Sequence, residues 1–148
     1  ARVMSLQDPA KKMSKSDENA NAWVAILDDR DTIIRKFKRA VTDSEACVRM
    51  SEAQPGISNL ITIYSCVTGK TVAEVEKEFE GKGYGDFKLA VGETVADHLA
   101  PIRNEFDRLI QDKAYLKKCY TEGAEKAQRY SQRIVSKAFH KVGFVDKA

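Results

Sequence analysis

The chain has 148 residues, of which 43% are hydrophobic and 32% are charged, a balance typical of a soluble globular protein. This length allows a domain with a hydrophobic core, and no apolar run reaches the length of a membrane span. The formal charge of +3 is too small to indicate a nucleic-acid partner by itself.

The N-terminal stretch has a short apolar run at residues 3–6, which predicts a strand, followed by a polar loop that contains Pro9. The chain starts without methionine and without the charged head of a signal peptide, so we expect a fragment of a longer fold. After the loop, Asp29 is a candidate N-cap for a first helix. The apolar side of that helix carries Ile33, Ile34, Phe37, Ala40 and Val41.

Further helical patterns begin at Ile57, Thr71, Phe87 and Tyr115. Gly69 is expected to close the first of these as a C-cap, and Thr71 with Glu74 has capping-box spacing. Pro101 should kink or split the long third pattern, and Gly123 is a candidate break in the last one. The predicted fold is therefore mainly α, a helical bundle with a short strand at its N-terminus.

The three cysteines, Cys47, Cys66 and Cys119, are odd in number and far apart, which predicts neither a disulfide framework nor a zinc site. We expect free, buried thiols in a reducing cytosol. His98 and His140 have no convincing partner, and the sequence offers no Ser-His-Asp or Cys-His arrangement for nucleophilic catalysis. No protein metal site is predicted.

The polar loop carries a lysine-rich segment at residues 12–16, the lysine loop, which reads Lys12, Met13, Ser14, Lys15 and Ser16. An ammonium group on a flexible stem is a point charge suited to phosphate oxygens. The alternative is a solvated loop without function. The strand expected before the loop and the helical region after it favour the phosphate site.

Basic residues form two clusters. In the last helical pattern they recur at every fourth position and so line one helical face, the basic stripe: Arg129, Arg133, Lys137 and Lys141. The first helix carries Arg35, Lys36, Lys38 and Arg39 opposite its apolar side. Each cluster is either a solvated face or a contact surface for a nucleic-acid backbone. Such contacts would position the nucleic acid without reading bases.

The lysine loop is identical to the phosphate-binding loop of class I aminoacyl-tRNA synthetases, and the whole chain resembles the C-terminal part of bacterial tryptophanyl-tRNA synthetases. Matching runs lie at residues 1–6, 8–9, 11–17, 41–45, 55–60, 80–85 and 122–127. The runs at 56–60 and 80–85 make the resemblance specific for the tryptophan enzymes. A tyrosine-specific relative and a stand-alone RNA-binding helical module remain as alternatives.

The resemblance implies a two-step reaction in which tryptophan and magnesium-ATP form tryptophanyl-adenylate, and the tryptophanyl group then passes to tRNA(Trp). Lys12 and Lys15 would act catalytically by holding the pyrophosphate moiety, and Met13 would pack near the adenosine. The ATP-binding residues it implies are Val3, Lys12, Met13, Ser14, Lys15 and Ser16. The tRNA-binding residues would be Arg35, Lys36, Arg129, Arg133, Lys137 and Lys141.

The resemblance also implies a domain division. Residues 1–20 would end a Rossmann-type nucleotide-binding domain, and residues 21–148 would form a helical domain like the anticodon-binding domain of the family. The family's other nucleotide motif, the tryptophan pocket and the main dimer-forming region have no counterpart in this sequence. We therefore expect the isolated chain to be folded, monomeric and inactive, and the full-length protein to be a cytoplasmic homodimer.

Overall fold

The structure is a computed structural model that describes residues 2–144, and the regular structure in this range is helical. The helices are α1 (Arg30–Lys38), α2 (Pro55–Thr68), α3 (Val72–Glu78), α4 (Tyr84–Gln111) and α5 (Lys113–Val142). The chain divides into two compact units, Ala1–Asn104 and Glu105–Ala148. The prediction of a mainly α protein is confirmed.

Three predicted helix ends are confirmed by their hydrogen bonds. The side chain of Asp29 accepts from the amide of Thr32 at 2.8 Å at the start of α1. Thr71 and Glu74 form a reciprocal capping box at the start of α3. Gly69 ends α2 in the left-handed conformation, with φ of 76°, which a residue without Cβ adopts at no steric cost.

The core of the first unit forms where the apolar faces of its helices meet the N-terminal segment. Its most buried side chains include Leu6, Ile33, Phe37, Ile57, Leu60, Ile61, Phe87 and Val91. Burying each such side chain contributes about 1.5–3 kcal/mol. Leu6 is 1% exposed, so the segment that leads into the lysine loop is anchored in the core.

The strand predicted at residues 3–6 is not formed, and residues 2–144 contain no strand. A single antiparallel bridge joins Met4 to Lys12. The bridge does not extend because the neighbouring groups are already bonded: the amide of Leu6 donates to the carbonyl of Ala22 at 2.9 Å, and Met4 bonds to the Asn59 side chain.

Two predicted helix breaks do not interrupt the helices. Pro101 lies inside α4, which continues from Tyr84 to Gln111. A proline removes one backbone hydrogen bond, and an exposed site on a 28-residue helix tolerates that loss. Gly123 likewise lies inside the continuous α5, where its cost is about 1 kcal/mol relative to alanine.

The three cysteines are free, as expected, but the prediction that they are buried is wrong. Cys47, Cys66 and Cys119 are all exposed. Cys66 lies in α2, two positions after the buried Tyr64, and Cys119 lies on α5, none of whose described residues is buried. All three thiols face solvent, and the spacing of cysteines in a sequence does not predict exposure.

The second unit contains the end of α4 and the whole of α5. Arg108 makes two hydrogen bonds to the Glu105 carboxylate, at 2.8 and 2.7 Å, and Asp112 caps α5 by accepting from the amide of Tyr115 at 2.9 Å. Within the described part of α5, Leu116 is half-buried and the other residues are exposed. No helix among residues 2–144 is both long and apolar enough to cross a bilayer.

Candidate phosphate-binding loop and basic surfaces

The lysine loop begins at the bridge between Met4 and Lys12. Backbone hydrogen bonds of 2.8 and 3.2 Å lie on either side of this pair. Met4 and Lys12 therefore form a non-hydrogen-bonded antiparallel pair, the arrangement in which two Cα atoms approach most closely. The backbone position of Lys12 is thus fixed by the segment that Leu6 anchors in the core.

Val3 and Met13 lie next to that pair. The amide of Met13 donates to the carbonyl of Val3 at 3.2 Å, and both side chains are partly buried against the core. The family resemblance implies that both residues belong to an ATP site. The structure brings them together at the base of the lysine loop.

Lys12 and Lys15 are exposed. The adjacent Lys11 differs, because its ammonium lies 2.9 Å from the carboxylate of Asp8. The hydrogen bond from Lys11 lowers the pKa of Asp8, and the same bond raises the pKa of Lys11. The ion pairs found among residues 2–144 include neither Lys12 nor Lys15, so both charges are available to an anion.

Local hydrogen bonds shape the rest of the lysine loop. The hydroxyl oxygen of Ser14 accepts from the amide of Ser16 at 3.2 Å, and its carbonyl accepts from the amide of Asp17 at 3.2 Å. Asp17 in turn accepts from the amide of Asn19 at 2.9 Å. These bonds form the compact turns that serine and aspartate favour outside regular structure.

The prediction that Lys36 lies on the exposed face of α1 is wrong. The residue is 5% exposed, its ammonium lies 2.6 Å from Asp28, and it stands over the ring of Trp23 at 4.9 Å from the centroid. Lys36 follows Ile33 by three positions, which places it on the apolar side of the helix. The buried ion pair leaves it no access to a nucleic acid, whereas Arg35 is exposed.

The basic stripe lies on the exposed surface of α5. Two large apolar side chains lie between its members: Tyr130 is 82% exposed and Ile134 is 71% exposed. This surface therefore combines positive charge with an aromatic ring, the two groups that contact phosphates and bases in nucleic-acid-binding proteins.

The contacts of Asn59 were not predicted from the sequence. Its side-chain amide binds both the N–H and the C=O of Met4, each at 2.9 Å. The available signal was the asparagine directly before Leu60 and Ile61 on an apolar helix, since a buried polar group needs a partner. Among residues 2–144, no group of His, Cys, Asp and Glu side chains could hold a metal ion.

The chain belongs to the class I tRNA synthetases, because the family model described as "tRNA synthetases class I (W and Y)" matches residues 1–100. Within that family, its curated relatives include tryptophan–tRNA ligases. The protein from Clostridium tetani is 48% identical over 145 residues, which cover 98% of this chain and 43% of the relative. That from Bacillus anthracis is 47% identical and covers 99% and 45%.

Solved structures agree with this assignment. The tryptophanyl-tRNA synthetase from Mycoplasma pneumoniae matches 98% of this chain and 46% of its own, with a TM-score of 0.73 and 27% identity. The enzyme from Campylobacter jejuni complexed with ADP and tryptophan matches 97% and 44%, with a TM-score of 0.76 and 26% identity. The resemblance found in the sequence is confirmed, and the chain spans less than half the length of these relatives.

Proposed function

We propose that the full-length protein containing this chain is a tryptophan–tRNA ligase. It uses ATP to form tryptophanyl-adenylate, charges tRNA(Trp) and releases AMP and pyrophosphate. The observation that carries the proposal is the identity of 48% to a tryptophan–tRNA ligase across 98% of the chain. Residues 1–20 would complete a Rossmann-type catalytic domain, and residues 21–148 would form an anticodon-binding-like helical domain.

The lysine loop supplies the chemistry of this chain. When the tryptophan carboxylate attacks the α-phosphorus, negative charge builds on the departing pyrophosphate. Lys12 and Lys15 present two exposed ammonium groups that stabilise this charge more in the transition state than in the ground state. Val3, Met13, Ser14 and Ser16 would line the nucleotide side.

Magnesium would arrive with ATP, since phosphate oxygens are among its preferred ligands. The other proposed partners follow from the family: tRNA(Trp), L-tryptophan and, for the full-length protein, a second subunit. A cytoplasmic location suits a protein that supplies translation with charged tRNA.

The activation step is tested by tryptophan-dependent ATP–pyrophosphate exchange with the full-length protein. Lys12→Ala and Lys15→Ala should each slow exchange by about 10²–10³, the cost of removing one donor that acts on developing charge. Lys11→Ala is the matched control, because its partner is Asp8, and should change the rate less than about threefold. Exchange with tyrosine instead of tryptophan would identify the tyrosine-specific relative, and no exchange with either would support the RNA-binding module.

The tRNA contacts are tested by affinity measured against salt. Arg35 and the members of the basic stripe are exposed and could bind phosphates. Arg133→Ala and Lys137→Ala should each weaken binding and flatten the slope of log K against log salt by about 0.7–0.9 per lost contact. Lys117→Ala, elsewhere on α5, is the control. Unchanged slopes would show that the basic stripe is a solvated surface that does not contact tRNA.

A further inference from the structure

At the base of the lysine loop, a side chain bonds to backbone groups that a neighbouring strand would bond in a sheet. In a non-hydrogen-bonded antiparallel pair, the backbone groups of both residues point away from each other. Those of Met4 meet Asn59: the Met4 amide donates to Oδ1, and Nδ2 donates to the Met4 carbonyl, each at 2.9 Å. Asn59 therefore takes the place of one residue of a third strand.

Asn59 is itself fixed. It is 5% exposed and lies on α2, where Ile57, Leu60 and Ile61 are at most 1% exposed. A packed helix in a core does not shift one side chain independently of its neighbours. The position of α2 therefore determines the position of Met4 through Asn59, and the bridge between Met4 and Lys12 in turn constrains Lys12.

We propose that Asn59 is a positioning residue for the activation step, and that it sets the place of the lysine loop by holding the backbone of Met4. The inference rests on the proposed function. Asn59 acts through Met4 and needs no contact with ATP. A displacement of about 1 Å at a catalytic group can cost about 100-fold in rate, so loosening Met4 should impair Lys12 and Lys15 together.

The neighbouring Ser58 offers a matched control. Its hydroxyl oxygen accepts from the amide of Ser51 at 2.9 Å and donates to the carbonyl of Ser51 at 2.8 Å. It therefore binds both backbone groups of one residue, as Asn59 does, but that residue lies in the connector before α2. Ser58→Ala removes a comparable pair of bonds without touching the segment that carries the lysine loop.

The test measures kcat and KM for tryptophan-dependent ATP–pyrophosphate exchange by the full-length protein. Asn59→Leu, which keeps the branched shape of the side chain and removes both bonds, should lower kcat by about 10- to 100-fold with the KM for tryptophan unchanged. Ser58→Ala should stay within about threefold. In a Lys12→Ala/Lys15→Ala background, Asn59→Leu should add less than about threefold, because both groups that it positions are gone. Equal losses in both backgrounds, or an equal loss in Ser58→Ala, would overturn the proposal.

Amide hydrogen exchange gives a readout that does not depend on activity. Asn59→Leu should lower the protection of the Ser5 and Met13 amides, whose bonds close the bridge, by at least about tenfold. Asn59→Ala serves if the leucine variant does not fold. Unchanged protection would refute the positioning role. If the unmodified protein shows no exchange of pyrophosphate, the proposed function fails, and amide protection alone decides whether Asn59 holds the loop.

Discussion

The hydroxyl of Tyr84 donates a hydrogen bond of 2.7 Å to Oδ1 of Asp43, 41 residues earlier in the chain. The same carboxylate oxygen accepts from the amide of Glu45 at 2.9 Å and from the side chain of Gln54 at 3.4 Å. Gln54 is 2% exposed. The sequence runs at 41–45 and 80–85, which carried the family resemblance, thus meet at one carboxylate.

Removing the Tyr84 hydroxyl should destabilise the first unit. Tyr84→Phe leaves Asp43 with one donor fewer, and its other oxygen is already buried without a hydrogen-bond partner among the described residues. Loss of a hydrogen bond to a charged acceptor costs about 1.5–3 kcal/mol. Urea unfolding should show this loss for Tyr84→Phe and less than about 0.5 kcal/mol for Tyr120→Phe, whose ring is 65% exposed. Equal effects would contradict the role of the Asp43 bond.

The same carboxylate should make stability depend on acid pH. Burial alone would raise the pKa of Asp43, but hydrogen bonds from Tyr84 and the Glu45 amide outweigh it and hold the pKa below its ordinary value of 3.8. Because the folded-state pKa is the lower one, the stabilisation is complete above about pH 3.8 and is lost as the pH falls further.

The measurement is the difference in unfolding free energy between the unmodified chain and Asp43→Asn at a series of pH values. This difference should be constant from pH 7 to about pH 5 and shrink below about pH 4. Other carboxylates titrate equally in both proteins and cancel. A difference that stays constant down to pH 2 would show that Asp43 is not the group responsible.

Lys36→Met should be strongly destabilising although lysine is usually a surface residue. The change leaves the Asp28 carboxylate, whose side chain is 18% exposed, without its cation, and breaking a largely buried pair in this way costs about 2–4 kcal/mol. Unfolding can be followed by the fluorescence of Trp23, the single tryptophan of the chain. The exposed Lys38→Met is the control, and a similar loss in both would argue against the buried pair.

Gly56 should not tolerate a side chain. A Cβ at this position would overlap the carbonyl oxygen of Val41 and lie 3.2 Å from Cα of Thr42, so Gly56→Ala must move backbone. We expect a loss of at least about 2 kcal/mol, in the range of overpacked cores. Gly85→Ala, whose Cβ would meet nothing within 4 Å in α4, should instead be neutral or stabilise by up to about 1 kcal/mol. Thermal unfolding of the two variants distinguishes these outcomes.

Signals that act within a few residues were predictable from sequence. The cap at Asp29, the capping box at Thr71 and the glycine at 69 depend on local backbone groups, and local chemistry determines them. The lysine loop was predictable as a motif, because its five residues are contiguous.

Features that depend on distant partners were not predictable. The burial of Lys36 requires Asp28 and Trp23 to converge on it, and residue type argued the other way. Residues 3–6 had the composition of a strand, but the backbone groups of Met4 bond to the side chain of Asn59, which lies 55 residues away in the chain. The last helix was predicted from its apolar periodicity, but periodicity does not show whether another element packs against the apolar side. In α5, Tyr130 and Ile134 are exposed.

The contact between Asn59 and Met4 joins a side chain to a backbone, so the side chain of residue 4 takes no part in it. Any residue with a backbone N–H can stand at position 4, whereas position 59 requires one side chain that both donates and accepts at the right reach. An amino-acid substitution at position 4 would therefore not require a compensating substitution at position 59. A search for correlated substitutions among relatives would overlook this link, although it ties the helix to the loop.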